Sequence, residues 1–245
     1  MIDVAFTRAE LRTAEVAVVV DVLRATSTAT QALAAGYSSV ACAESVELAL
    51  TLRGPGCVLA GERNCVMPSG FDLGNSPREA MRPLGDRFVL ATTNGAPAIV
   101  AAARHTPVVL LACLLNLEAV LAAVPDGDVQ VVCSGTDGAV ALEDVYVAGR
   151  LCEGLEGPRT DAARVAEAVA RSYRSPVDAL AASADARALA AAGLAEDITF
   201  CAQDSVLDVV PRVASTEPGL AVAVDSRSLY GVAAAATVET ATHRS

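Results

Sequence analysis

The chain contains no lysine and no tryptophan. All 18 basic residues are arginine, and aromatic residues make up 3% of the 245 positions. Without lysine there is no Schiff-base amine, no lysine general base and no P-loop lysine. With so few rings, a nucleic-acid surface has little to stack on. A net charge of -11 also repels polyanions at long range, so no nucleic-acid partner is expected. Histidine is scarce, with only His105 and His243. The seven cysteines (Cys42, Cys57, Cys65, Cys113, Cys133, Cys152 and Cys201) include no C-x-x-C pair, which argues against zinc. Scattered through apolar runs, they read as reduced core residues of a cytoplasmic protein. The opening "MIDVAFTRAE" lacks the basic start and apolar centre of a signal peptide. No apolar run approaches the roughly 20 residues that cross a bilayer, so no membrane partner is expected. G-x-S-x-G and G-x-G-x-x-G are absent, which removes the usual serine hydrolases and dinucleotide binders.

What is present is an alternation. Hydrophobic residues make up 53% of the chain, enough for a large core. Short apolar runs precede Ala-rich stretches: "VAVVVDVL" then "STATQALAAG", "RFVLATTNG" then "APAIVAAARH", "PVVLLACLLN" then "LEAVLAAV", "VQVVCSGTDG" then "ALEDVYVAGRLCEGL". Continuous Val/Leu runs suit strands covered on both faces. The expectation is an α/β protein, a three-layer α/β/α fold with a mostly parallel sheet. Two lobes are expected, residues 1–125 and 126–245, divided near "VPDGD". Residues from about 160 to 193 read as helical, and "DITFCAQ" and "LAVAV" as late strands. Ser45 reads as an N-cap. Leu59 to Ala80 has no periodicity until "SPRE". There Ser76, Pro77 and Glu79 carry the signs of a capped helix start.

Three strand ends share one chemistry: "VDVLRATST", "ATTNGAP" and "CSGTDGA". In parallel α/β sheets ligands bind beyond the carboxyl ends of strands, where helix N-termini favour oxyanions. Thr26, Ser27, Thr93, Ser134 and Thr136 can donate hydroxyls there, and Gly95, Gly135 and Gly138 allow close backbone approach. A hydroxyl after a strand is most often only a helix cap. Three such turns with charges beside them point further, to an anion site. Asp21 follows a run of valines, where a charge needs a partner or a cation. Arg24 either pairs with Asp21 or clamps a phosphate or sulfonate. Glu143 and Asp144 open a helix. They either complement its dipole or, with Asp21, offer oxygens to Mg²⁺. Glu62, at the end of "CVLAGE", is a fourth candidate carboxylate. His105 reads as a helix-end group, and His243, in a polar tail, is given no role.

The segments "DVLRATST", "AGE" with "GFDLGNSP", "TTNG", "SGT" with "LEDV", and "EDITFCAQDSVLDVVP" together resemble the 2-phosphosulfolactate phosphatase family. They run in the family's order from about Val18 to Pro211. The resemblance implies an α/β/α Mg²⁺-dependent acid phosphatase, acting on a small anionic phosphorylated substrate and expected as a homodimer. The reaction implied gives sulfolactate and phosphate, a step of coenzyme M biosynthesis. By motif, Asp21, Arg24 and Glu62 become candidate catalytic residues, and Asp21, Glu143 and Asp144 the metal ligands. Thr26, Ser27, Asp72, Asn75, Ser76, Thr93, Asn94, Gly95, Ser134, Gly135 and Thr136 become substrate contacts. Asp21 or Glu62 would orient water or attack phosphorus. The chain departs from the family ahead of "DITFC". Where the family often has a Ser-rich turn with Asn/His-Gly, this sequence reads "LAASADARALAAAGL", and no substrate contact is assigned to it. The alternative function is a sensor that binds a small phosphorylated or sulfonated acid without turnover. A phosphatase of the aspartyl-nucleophile type would need D-x-D and a later lysine, and the chain has neither at Asp21.

Overall fold

The valines ahead of Asp21 form a strand buried along its whole length, Val16–Val20. Its alternate residues enter two separate cores. Val16, Val18 and Val20 pack on one side, and Ala17 and Val19 on the other. That two-sided burial is what a continuous apolar strand requires, and it makes the fold three-layered.

The computed structural model describes residues 1–227; His243 lies outside them. In chain order the elements are β1 (Ile2–Ala5), β2 (Val16–Val20), α1 (Ala25–Ala35), β3 (Ser39–Ala43), α2 (Val46–Thr51), β4 (Cys57–Gly61), β5 (Arg87–Ala91), α3 (Gly95–His105), β6 (Val108–Ala112), α4 (Leu117–Ala123), β7 (Val129–Cys133), α5 (Leu142–Gly154), α6 (Asp161–Ser172), α7 (Pro176–Ala181), α8 (Ala184–Ala191), α9 (Ala195–Cys201), β8 (Pro211–Glu217) and β9 (Leu220–Asp225). The strands form one nine-stranded sheet, ordered β1-β7-β2-β6-β8-β9-β3-β5-β4. All pairings are parallel except those made by the β8–β9 hairpin. The expected α/β/α architecture with a mostly parallel sheet is what forms. The division expected at 125/126 falls between α4 and β7. Strand β7 lies between β1 and β2, so segments from both sides of that point share the sheet.

Helices α1 and α3 supply Ala25, Ala29, Ala96 and Ile99 to one core, while α5 and α6 supply Val147, Leu151, Ala163 and Ala166 to the other. Close packing of α5 on α6 depends on Gly149. A Cβ there would lie 2.1 Å from the Ala166 carbonyl oxygen. Residues 160–193 are helical as expected, and Ser45 caps α2 by accepting the Leu48 N–H at 3.1 Å. His105 ends α3, as expected.

Two local expectations fail. "DITFC" is not a strand but the body of α9. Its buried positions are Asp197 and Cys201, a spacing of four that belongs to one helix face. "LAVAV" is a strand, β9. The "SPRE" segment makes only a 3-10 turn, Glu79–Met81. Ser76 does not cap it, because its hydroxyl donates to Asp197 Oδ1 at 2.8 Å instead. Glu79 turns back to accept the Gly74 N–H. Residues 62–78 are otherwise an irregular loop, as the missing periodicity predicts. No described helix is long and apolar enough to cross a membrane.

Candidate active site

β2 and β5 are five positions apart in the sheet order. At about 4.8 Å per strand, a flat sheet would hold their ends about 24 Å apart. The segments that follow them meet instead. A Cβ on Gly95, which opens α3 after β5, would lie 2.3 Å from Asp21 Oδ2 and 2.4 Å from Ala25 Cβ. The turns beyond β2, β4, β5 and β7 line a common cavity of about 540 Å³. Asp21, Arg24, Glu62, Asn75, Thr93, Asn94 and Thr136 line it, all of them expected from the sequence.

Each strand end is tied to the next. Glu62 Oε1 accepts the Thr93 N–H at 2.8 Å and its Oε2 the Cys65 N–H at 3.1 Å, which fixes the β4 end on the β5 end. Asn94 Oδ1 accepts the Asp137 N–H at 3.2 Å, which fixes β5 on β7. Asp144 accepts from Val22 N, Ser134 Oγ and Gly135 N, which fixes β7 on β2. Asp21 Oδ1 accepts the Ala25 N–H at 2.9 Å.

Arg24 is 3% exposed and its Nη1 lies 2.5 Å from Asp197 Oδ2, itself 1% exposed. Its partner is thus Asp197 of α9 and not Asp21. Ser76 holds the other oxygen of Asp197, so Ser76 reaches the site through Arg24. Thr26 and Ser27 spend their hydroxyls on Asp21 O and Val22 O, and shape the turn without lining the cavity. Asp72 stands apart. It is exposed, pairs with Arg53 and accepts the Leu59 N–H, bracing the 62–78 loop. Ser134 and Gly135 sit behind the wall, against Asp144.

The electrostatics are unusual. Burial pushes the Asp21 carboxyl up to about 6, helped by Glu62 and Asp185. Burial, then Asp144 and Asp185, push Glu143 up to about 9. Burial and Asp21 hold Asp144 well above the ordinary range. Buried carboxylates crowded like this resist ionising together unless a cation joins them. Glu143 Oε2 is buried with no hydrogen-bond partner, as are Asn75 Oδ1 and Thr93 Oγ1. Asn75 and Thr93 line the cavity, where orphaned polar atoms normally mean a missing ligand, whereas Glu143 lies behind the lining with the Asp185 carboxyl beside it.

Sequence reasoning missed one wall altogether. Helix α8 contributes Asp185, Ala188, Leu189, Ala191 and Ala192, from the stretch to which no contact was assigned. Thr136 Oγ1 donates to Asp185 Oδ2 at 2.5 Å, which ties this wall to the β7 end. Ser183 caps α8 by accepting the Ala186 N–H, and that was the one local signal available. Leu23, Asn64, Cys65, Thr92 and Asp137 complete the lining.

The sequence model of the 2-phosphosulpholactate phosphatase family matches residues 4–216. The chain belongs to this family. The family name denotes a phosphoric monoester hydrolase. A probable 2-phosphosulfolactate phosphatase of Thermus thermophilus is 44% identical over 206 residues, covering 80% of this chain and 87% of that protein. One from Pseudothermotoga lettingae is 40% identical over 214 residues, covering 86% and 95%. One from Deinococcus radiodurans is 40% identical over 210 residues, covering 81% and 88%. The matched span runs from β1 into β8, so it contains every wall of the cavity.

Proposed function

We propose that this phosphatase-family chain hydrolyses the phosphate ester of a small acid with the help of Mg²⁺. The family's named substrate, 2-phosphosulfolactate, would yield sulfolactate and phosphate. The observation that carries the reading is the cavity at four strand ends, where Asn75 Oδ1 and Thr93 Oγ1 lie buried without partners. An ester phosphate supplies the oxygens and, when protonated, the donor that such atoms require.

Asp21 and Glu143 would hold the cation, with Asp144 bracing the strand ends behind them. Their chemistry suits it: three acidic side chains are buried together and Glu143 Oε2 is orphaned. Among the described residues no group of three His, Cys, Asp or Glu side chains is placed to hold a metal ion by itself. Mg²⁺ does not need one, since it commonly takes one or two carboxylates and fills the rest with water and phosphate oxygens. When bound it neutralises phosphate charge and lowers the charge barrier to attack.

The chain's own residues do the rest. The first turn of α3 offers little beyond the positive end of the helix, since Pro97 has no N–H and the Ala96 N–H donates to Thr92 Oγ1. Arg24, aligned by Asp197, offers its remaining N–H groups to a phosphate oxygen. Asp21, which lines the cavity beside the cation it would hold, is placed to orient an attacking water. Glu62 fixes the Thr93 backbone and so the height of the phosphate seat.

The test is phosphate release from 2-phosphosulfolactate by the purified chain, with Mg²⁺ and after chelation. Turnover that vanishes with EDTA and returns with Mg²⁺ is expected. Tight binding of sulfolactate without any turnover would make the chain a sensor and overturn the reading.

A further inference from the structure

Arg24 and Asp197 form a buried pair that uses only half of the usual contact. A guanidinium fork frequently takes both oxygens of a carboxylate at once. Arg12 does so in this same chain, with Nη1 on Asp128 Oδ2 at 2.6 Å and Nη2 on Asp128 Oδ1 at 3.0 Å. Arg24 makes a single bond, Nη1 to Asp197 Oδ2 at 2.5 Å. The other oxygen, Oδ1, is taken by the Ser76 hydroxyl at 2.8 Å. That hydroxyl serves no helix end, because the Glu79 and Ala80 N–H groups go to the Ser76 carbonyl. The segment is also held from α1, where Thr28 Oγ1 donates to the Asn75 carbonyl at 3.3 Å. Ser76, Asp197 and Arg24 are all buried. Ser76 and Asp197 stand behind the cavity lining, while Arg24 is part of it. No described residue bonds Arg24 Nε or Nη2, and neither is among the buried atoms left without a partner, so both reach the open space of the cavity.

We propose that Ser76 is a positioning residue of the phosphatase site. By occupying Asp197 Oδ1 it keeps Arg24 on one carboxylate oxygen, and the unused N–H groups of the guanidinium stay turned to the cavity for a phosphate oxygen. Without the hydroxyl, Asp197 Oδ1 is a buried acceptor that has lost its donor, and the adjacent Arg24 has N–H groups to spare. Arg24 then closes on both oxygens, as Arg12 does on Asp128, and withdraws from the ligand. The inference rests on the phosphatase reading and deepens it. It gives a task in that site to a hydroxyl that touches neither substrate nor cation.

Ser76→Ala tests this by three measurements. Inorganic phosphate titrated calorimetrically in Mg²⁺ buffer should bind about tenfold more weakly, the worth of one hydrogen bond to a charged group. KM for 2-phosphosulfolactate should rise by a similar factor while Tm stays at the wild-type value, because Arg24 replaces the lost donor. A crystal structure of the variant should show Arg24 on both oxygens of Asp197. Arg24 found still on one oxygen would overturn the inference, and so would an unchanged phosphate affinity. A lowered Tm with KM unmoved would also overturn it, leaving Ser76 a support of the fold alone. The wild-type protein separates the two levels. If it neither hydrolyses the ester nor binds phosphate, the phosphatase reading falls and takes this inference with it. If it does both and Ser76→Ala matches it, only this inference falls.

Discussion

Asp21→Asn should inactivate the protein and at the same time stabilise it. Folded Asp21 titrates at about 6 against an ordinary value of 3.8, with burial as the main cause. Between those values the folded chain binds more protons than the unfolded one, so this group's contribution falls as pH rises through that window. Above pH 6 the full penalty is present. A displacement of about two pH units corresponds to about 3 kcal/mol, which is an upper bound because a buried site relaxes. Asparagine has nearly the same shape, keeps an oxygen for the Ala25 N–H and carries no charge. In metal-free protein at pH 8 the variant should therefore be more stable by about 1–3 kcal/mol, and its Tm higher by several degrees for a chain of this size. Below pH 4 the two proteins should converge, since Asp21 is then protonated in the fold as well. Turnover should fall by at least about 10²-fold, because the cation and the attacking water lose the carboxylate that positions them. Differential scanning calorimetry in EDTA at pH 4 and pH 8, with phosphate release in Mg²⁺, makes the check. A variant no more stable than wild type at pH 8, or one with near-normal turnover, would refute the reasoning.

Asp197→Ala strands the buried Arg24 guanidinium and should destabilise the protein by about 3–5 kcal/mol, read from urea unfolding; an unchanged midpoint would show that the pair is not buried in solution. Thr93→Val removes a hydroxyl that has no protein partner, so KM should rise about tenfold while Tm stays put. Loss of Tm with unchanged KM would mean the hydroxyl serves the fold. Gly95→Ala drives a methyl into Asp21 Oδ2 and Ala25, and kcat/KM should fall at least about tenfold, with the Asp21 pH dependence displaced in a pH–rate profile.

The strand ends were legible because each is a local event. An apolar run of five residues, then hydroxyls and glycine, then alanines, spells strand, turn and helix without reference to anything distant. That Asp21, Glu62, Thr93 and Thr136 meet follows from parallel strands having their carboxyl ends on one side. What could not be read is what crosses the cavity. Asp185 sits in an Ala-rich helix where nothing local separates a wall residue from a solvated one. Its meeting with Thr136 depends on how a run of four helices returns over the sheet. Asp197 lies in "DITFC", a stretch whose β-branched and aromatic residues mimic a strand. The pairing with Arg24, 173 residues away, decides its conformation. Ser76 shows the same limit: its cap-like spacing was real, but a buried carboxylate made the stronger claim on its hydroxyl.

The antiparallel hairpin β8–β9 lies in the middle of the sheet, with β1, β7, β2 and β6 on one side and β3, β5 and β4 on the other. It is also the last described part of the chain to be made. Until residue 225 has left the ribosome, no strand pairing joins the two blocks, and Asp21 and Glu62 belong to different blocks. A nascent chain can thus hold all the strand-end residues already translated and still lack the continuous sheet that sets their spacing.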